Sequence, residues 1–285
     1  MNTTPHDSGT PIPAPPVAPP HPGPAGVQPL LQATNLVKTY PGAHALRGVS
    51  IGVSRGQALA IMGPSGSGKT MLLHCLAGLI TPDAGTVAFQ PGGGPPVQVS
   101  TLDRRERARL RRESFGFVFQ QGLLMPELTA VENIAVAGML GGMKRQVAFA
   151  AAMDWLHSLG LEAHAGKRIG QLSGGQAQRV AVARSQITSP EITFADEPTG
   201  ALDSHTSHEV MSILLASTAG AGRALVVVTH DPHVAARAHH RIHVRDGLID
   251  DGKAQGTARV DGTAHVGGAA GVDGVGGAAG VEGAA

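Results

Sequence analysis

One cysteine, one tryptophan and one tyrosine occur in 285 residues, and aromatic side chains make up only 3% of the chain. The lone Cys75 excludes an intrachain disulfide and fits a reducing compartment; its place in an apolar run makes it a packing residue. Formal charge is +1, from 22 basic and 21 acidic side chains, so no global basic field exists to gather nucleic acid or anionic lipid. Any such binding would have to be local. No run of about 18 apolar residues is present, so no membrane-crossing helix is expected. Met1 to Pro24 lacks the basic start and apolar stretch of a secretory signal.

Glycine and proline are abundant, at 40 and 20 residues, and much of that lies at the ends. Residues 1 to 29 carry about half of the prolines and predict a disordered or polyproline tail, with a ligand for a proline-reading domain as the alternative. From Lys253 the chain is rich in Gly, Ala and Val, with near-duplicate blocks Val266 to Gly274 and Val275 to Gly283, and predicts a second disordered tail. Residues 30 to 252 remain as the folded part, enough for one large α/β domain or two small ones.

Within it, Gly63-Pro64-Ser65-Gly66-Ser67-Gly68-Lys69-Thr70 follows the apolar run Ala58 to Met62 and precedes the helical run Met71 to Ala77. Strand, glycine loop and helix in that order turn a pattern into a phosphate site. Glycines let the backbone curl with its N–H groups inward, and the new helix adds the positive end of its dipole. Lys69 would reach the β and γ phosphates, and the Thr70 hydroxyl suits Mg²⁺.

Upstream, runs from Leu30 to Met62 broken at Pro41-Gly42, Arg47-Gly48 and Arg55-Gly56 predict strands and turns. Tyr40 could stack on a purine or be a half-buried strand residue. Downstream, Thr81 to Gly85 reads as a turn, and Val87 to Phe89 and Val97 to Val99 as strands around a Gly/Pro loop. Leu102 to Arg112 is arginine-dense with interleaved acids, the pattern of a solvated helix face, with a nucleic-acid patch as the alternative. Phe115 to Phe119 predicts a buried strand that delivers Gln120 to its end, where a glutamine can also simply start a loop. Residues 121 to 171 look helix-rich, with Phe149, Met153 and Leu156 recurring before the stop at Gly160, and Trp155 as core or interface.

Leu172-Ser173-Gly174-Gly175-Gln176 opens another helix, with Ala177, Val180, Ala183 and Ile187 on one stripe. Ser173 is a natural N-cap, and the helix start could be a second phosphate contact or no more than a capped end. Ile192 to Ala195 predicts a buried strand ending in Asp196-Glu197, where ligands of α/β sheets sit. In a chain with a phosphate loop, that pair suggests Asp196 for Mg²⁺ and Glu197 for an attacking water; a surface acid pair is the alternative. A third strand, Ala224 to Val228, ends at His230, and Arg241 to Ile249 reads as a closing hairpin about Asp246-Gly247. His239, His240 and His243 have the makings of a metal site, though nothing else converges there.

In this order the motifs resemble those of ATP-binding cassette (ABC) ATPases, over about residues 30 to 250: Gly63 to Thr70 as Walker A, Gln120 as Q-loop, Leu172 to Gln176 as the LSGGQ signature, Ile192 to Glu197 as Walker B, Ala201-Leu202-Asp203 as D-loop and His230 as H-switch. LSGGQ between Walker A and a Walker B ending in Asp-Glu is far more specific than any one motif. Phe119-Gln120, Leu128 to Asn133 and Asp196 to Asp203 look most like the lipoprotein-release and macrolide-export group, which also resembles the cell-division ATPases.

The resemblance implies an α/β P-loop NTPase fold: a RecA-like core, an antiparallel β subdomain and an inserted helical signature subdomain at about residues 121 to 185. It implies a homodimer or paired cassette, with ATP between the Walker A loop of one copy and Ser173, Gly174, Gly175 and Gln176 of the other. Ser173 and Gly175 would touch the γ-phosphate, Tyr40 would stack on adenine, Asp203 would belong to the nucleotide interface, Gln120 would sense Mg²⁺ and the lytic water, and His230 would hold the γ-phosphate. A separate membrane permease would be driven from the cytoplasmic, inner face, export being favoured, with no nucleic acid involved. Regulation of a membrane partner without transport is the alternative; repair or translation ATPases usually carry paired cassettes, long coiled coils or zinc modules, none of which is seen here. The substrate would be chosen by the permease. Thr193 departs from the usual apolar Walker B strand, and Ser185-Gln186 from the usual Ala-Leu; both lie away from the phosphates and point to altered stability or regulation.

Overall fold

The computed structural model describes residues 28–92 and 94–250, so nearly all of both expected tails lies outside the described residues. An antiparallel hairpin comes first: Leu31–Tyr40 (β1) pairs with Ala43–Val53 (β2) across Pro41-Gly42. Arg47-Gly48, expected as a turn, is a bulge inside β2. Leu36 faces Val49 and Val37 faces Arg47, which leaves Gly48, at φ 100°, as the extra residue. After Ala58–Met62 (β3) and Lys69–Leu76 (α1), the chain returns to the same sheet with Ala84–Phe89 (β4) and Val97–Gln98 (β5), in the order β2-β1-β4-β5. The expected Thr81 to Gly85 turn is shorter, because Ala84 already pairs with Val37, and Val99 leaves the ladder to begin a 3₁₀ turn.

There follow Arg104–Glu113 (α2), Phe115–Phe119 (β6), Ala130–Leu140 (α3), Arg145–Ser158 (α4), Gly174–Gln186 (α5), Ile192–Asp196 (β7), Ser204–Ser217 (α6), Ala224–Val228 (β8), Pro232–Ala235 (α7), His240–Arg245 (β9) and Leu248–Ile249 (β10). The second sheet has the order β10-β9-β3-β8-β7-β6, parallel except at β10. Strands β3, β8, β7 and β6 are short, mainly apolar runs because both faces are covered, whereas β9 alternates polar with buried apolar residues. Leu59, Ile61, Val226 and Val228 enter the core shared with α1 and the small sheet; Ala58, Ala60, Leu225 and Val227 face the opposite core, with Val182 of α5 and Val210 and Met211 of α6. Scarce aromatics are concentrated here. Phe115 stands edge-on to Phe89 and Phe194 at 5.0 and 5.3 Å, and Phe117 stacks on Phe194 at 5.7 Å.

The arginine-dense segment is α2, opened by a reciprocal Asp103–Glu106 capping box; Arg104, Arg105, Arg109 and Arg112 are exposed, while Arg107 and Arg111 are half-buried and donate to Thr81 Oγ1 and the Gly78 carbonyl beside Leu110. A third core joins α3, α4 and α5. In α4 its buried stripe is Ala148, Ala152 and Leu156. The larger Phe149 and Met153, expected on that stripe, lie half-buried at its edge because alanines admit closer helix contact. Trp155 is half-buried against the same cluster. Helix α5 packs on α3, α4, α6 and β6, so it is buried on more sides than one stripe. A small antiparallel sheet, a mainly parallel core and a helical cluster therefore make up the α/β P-loop architecture.

Candidate functional site

Parallel register brings the working ends of four strands to one edge. Ile61 of β3 and Asp196 of β7 both face Val228 of β8, and Phe119 of β6 faces Asp196. Gly63, Gln120, Glu197 and His230, each beyond its strand, thus share the carboxyl edge where α/β sheets bind ligands.

The loop between β3 and α1 is held tightly. A side chain at Gly63 (φ 142°) would place its Cβ 2.0 Å from the Val244 carbonyl oxygen, and one at Gly68 (φ 101°) 2.3 Å from that of Ala45. Backbone from both sheets therefore excludes any side chain there. Pro64, Ser65 and Gly66 are exposed at the tip, whereas Ser67 is buried with its hydroxyl unpartnered among the described residues. The Lys69 ammonium folds back and donates to the carbonyls of Gly63 at 2.9 Å and Pro64 at 2.8 Å. Such a loop, at the start of a helix and with a lysine inside it, suits a polyphosphate.

Thr70 donates its hydroxyl to Asp196 Oδ1 at 3.2 Å. Burial pushes the Asp196 carboxyl above the usual aspartate range, against the pull of the Thr70 hydrogen bond. Two converging oxygens, one of them a half-buried carboxylate that a cation would relieve, are the donor chemistry of a hard divalent ion. Glu197 has a left-handed backbone, φ 46°, rare for a non-glycine residue. Its N–H donates to Val228 O at 3.0 Å and its carbonyl accepts from Gly200 N at 3.1 Å, which holds that conformation. His230 Nδ1 lies 2.9 and 3.0 Å from the two Glu197 carboxylate oxygens. Gln120 fills the space over Gly200, its Nε2 3.0 Å from where a Cβ would stand.

Tyr40 ends β1 over the first turn of α1, its hydroxyl 3.7 Å from Met71 Sδ, with Lys38 Nζ 5.6 Å from its ring centre. The LSGGQ segment starts α5 with a reciprocal capping box: Ser173 Oγ accepts from Gln176 N at 3.2 Å, and Gln176 Oε1 accepts from Ser173 N at 2.9 Å. Ser173 and Gly174 are exposed. Gly175 is buried, and a Cβ on it would meet Thr206 Cγ2 at 2.3 Å, so the close approach it permits within this chain is to α6. Asp203 caps α6, accepting from Thr206 N at 3.0 Å and Thr206 Oγ1 at 2.7 Å, bonds that hold its carboxyl below the usual range. Of the three late histidines, His239 accepts the Ala58 N–H at its Nδ1.

Sequence reasoning missed Gln178 and Arg184. Gln178 Nε2 donates to Phe119 O at 3.1 Å, while Arg184 reaches the carbonyls of Gly122 and Leu123, both at 2.7 Å. They tie α5 to both sides of Gln120. A polar residue at Gln178, between the apolar positions of a buried helix, was the signal available.

A phosphate loop after a central strand, an acid pair two strands over and a separately capped signature helix define a P-loop ATPase cassette. The family model described as "ABC transporter" matches residues 46–200. The lipoprotein-releasing system ATP-binding protein LolD of Bordetella pertussis is 42% identical over 225 residues, 78% of this chain and 95% of that protein. The macrolide export ATP-binding/permease protein MacB of Shigella flexneri is 41% identical over 225 residues, 78% of this chain but 34% of that protein. Among solved structures, a dimeric post-hydrolysis state of the ATP-binding cassette MJ0796 bound to ADP and Pi aligns at TM-score 0.70 and 36% identity, over 77% of this chain and 96% of that one. This chain belongs to the ABC transporter family, as its ATP-binding, ATP-hydrolysing cassette. No helix among the described residues is long and apolar enough to cross a membrane.

Proposed function

We propose that the chain binds Mg²⁺-ATP at Gly63 to Thr70, pairs with a second cassette around it, and by hydrolysis drives a separate membrane permease in the export direction from the cytoplasmic face. The second cassette is another copy of this chain or a paired homologue. Export is supported by relatives named for lipoprotein release and macrolide export.

In this reading Lys69 exchanges its bonds to the Gly63 and Pro64 carbonyls for phosphate oxygens, with loop amides around the chain of phosphates. Tyr40, beside α1, offers its face to the adenine. Ser173 Oγ and the first amides of α5, Gly175 included, meet the γ-phosphate held by the opposite cassette, while Asp203 shapes the turn beside them. Thr70 and Asp196, with Gln120 near them, would hold Mg²⁺, which when bound neutralises charge on the transferring phosphoryl group. Glu197 takes the proton of the attacking water as its oxygen bonds the γ-phosphorus and the β–γ bridging oxygen leaves with ADP. His230 keeps that carboxylate in place and contacts the γ-phosphate.

The observation that carries this reading is Glu197, held on a left-handed backbone by Val228 and Gly200 and faced by His230 at the same sheet edge as Lys69 and Thr70. Glu197→Gln is expected to retain ATP binding, to lower turnover by about 10²- to 10⁴-fold, and to accumulate an ATP-bound dimer. Turnover at the parental rate would reject Glu197 as the base. ATP-dependent transport in vesicles carrying the co-purified permease would establish the transport role, and its absence despite ATPase activity would favour a regulator of a membrane partner.

A further inference from the structure

We propose that His164 is a positioning residue for the nucleotide-facing end of α5: it clamps the Gln176 amide and so keeps Ser173 in place. The proposal rests on the reading above that Ser173 to Gln176 meets a nucleotide held by an opposite cassette.

The Gln176 side chain is gripped at both ends. Its oxygen accepts the Ser173 N–H at 2.9 Å, and its nitrogen lies 3.3 Å from His164 Nε2. Only the amide oxygen can accept from Ser173 N–H, so the NH₂ must face the imidazole. His164 Nε2 is then the acceptor, and the ring proton sits on Nδ1. That Nδ1 is buried with no hydrogen-bond partner among the described residues, so the ring's polar tie is to Gln176. His164 is itself placed by the 3₁₀ turn Glu162–His164 after α4: its N–H donates to Leu161 O at 2.9 Å and its carbonyl accepts from Lys167 N at 2.9 Å. The turn leaving α4 is thereby cross-braced to the first turn of α5.

Ser173 Oγ already accepts from Gln176 N, which leaves the hydroxyl hydrogen of this exposed residue free to donate outward. With the His164 contact removed, the Gln176 side chain gains rotamers, its bond to Ser173 N becomes intermittent, and the hydroxyl loses its fixed direction. Nucleotide capture at Gly63 to Thr70 does not pass through these atoms. The effect falls on pairing.

The test places His164→Ala, His164→Phe and His164→Gln in full-length Glu197→Gln chain, and measures ADP affinity by equilibrium binding and ATP-dependent dimerisation by sedimentation. The Ala and Phe variants are expected to raise the protein concentration for half-maximal dimer by about five- to tenfold, with ADP affinity unchanged. Glutamine, whose amide oxygen can stand where Nε2 stood, is expected to stay within about twofold of the parent. Parental pairing by the Ala variant would overturn the proposal. So would rescue by Phe but not Gln, which would make the role one of packing, or a parallel loss of ADP affinity, which would make it one of folding. Failure of Glu197→Gln itself to pair with ATP would instead reject the two-cassette reading on which the proposal stands.

Discussion

Gln186 Nε2 donates to Thr193 Oγ1 at 2.9 Å, and both side chains are wholly buried, at 0% exposure. Gln186 closes α5 and Thr193 lies in β7, so the bond joins the signature helix to the strand that carries Asp196. Gln186 Nε2 also donates to Ser185 Oγ at 3.0 Å, and Ser185 Oγ to Val182 O at 2.7 Å. The three departures from the family pattern, separate along the chain, form one hydrogen-bonded cluster in the fold.

That cluster predicts a coupling. A buried polar group left without its partner costs more than an apolar pair in its place. Gln186→Leu and Thr193→Val are each expected to lower stability by about 1–2 kcal/mol, with the double variant losing less than their sum by about 0.5–1.5 kcal/mol. Denaturant midpoints of the four proteins give the cycle. Strict additivity would dissolve the cluster as a unit.

Lys69→Ala is expected to weaken ATP binding by about ten- to a hundredfold, the worth of charge-assisted hydrogen bonds, and to loosen the loop whose Gly63 and Pro64 carbonyls it now ties. Equilibrium nucleotide binding measures it, and an unchanged affinity would count against the loop as the phosphate site.

Asp196 gives a pH-dependent prediction. Burial raises its folded pKa, so the folded chain keeps this proton to higher pH than the unfolded chain, and stability is lost as pH rises from about 4 through the raised value. Asp196→Asn should therefore raise the nucleotide-free melting temperature at neutral pH while abolishing activity. Below pH ~3, where the carboxyl is largely protonated in both states, the gain should vanish. A shift of equal size at both pH values would contradict this.

Cys75 is 1% exposed, and burial pushes its thiol up to about 11. A maleimide reagent at neutral pH should leave the folded chain unmodified and label it once denatured. Fast labelling of native protein would place Cys75 outside the core.

The glycine loop, the strand that ends at the acid pair and the capped start of α5 can be read from sequence because each is a short contiguous run whose local conformation its own residues set. What is not readable depends on distant partners. Glu197 adopts φ 46° through Val228 and Gly200, and nothing in its own side chain announces it. Gln178 meets Phe119 across 59 residues, and Arg184 meets Gly122 across 62. Gly48 reads as a turn glycine because a bulge and a turn demand the same backbone freedom, and only pairing with Leu36 and Val37 separates them.

The Ala45 and Val244 carbonyls that crowd Gly68 and Gly63 belong to different sheets, so the phosphate cradle is wedged from two sides by main chain that cannot rotate away. Those two ends of the loop are fixed whether or not the Lys69 ammonium is folded back between them. In the function proposed above, an arriving triphosphate displaces the Lys69 ammonium but need not order these two anchor points, and the affinity so kept is available to draw two cassettes together.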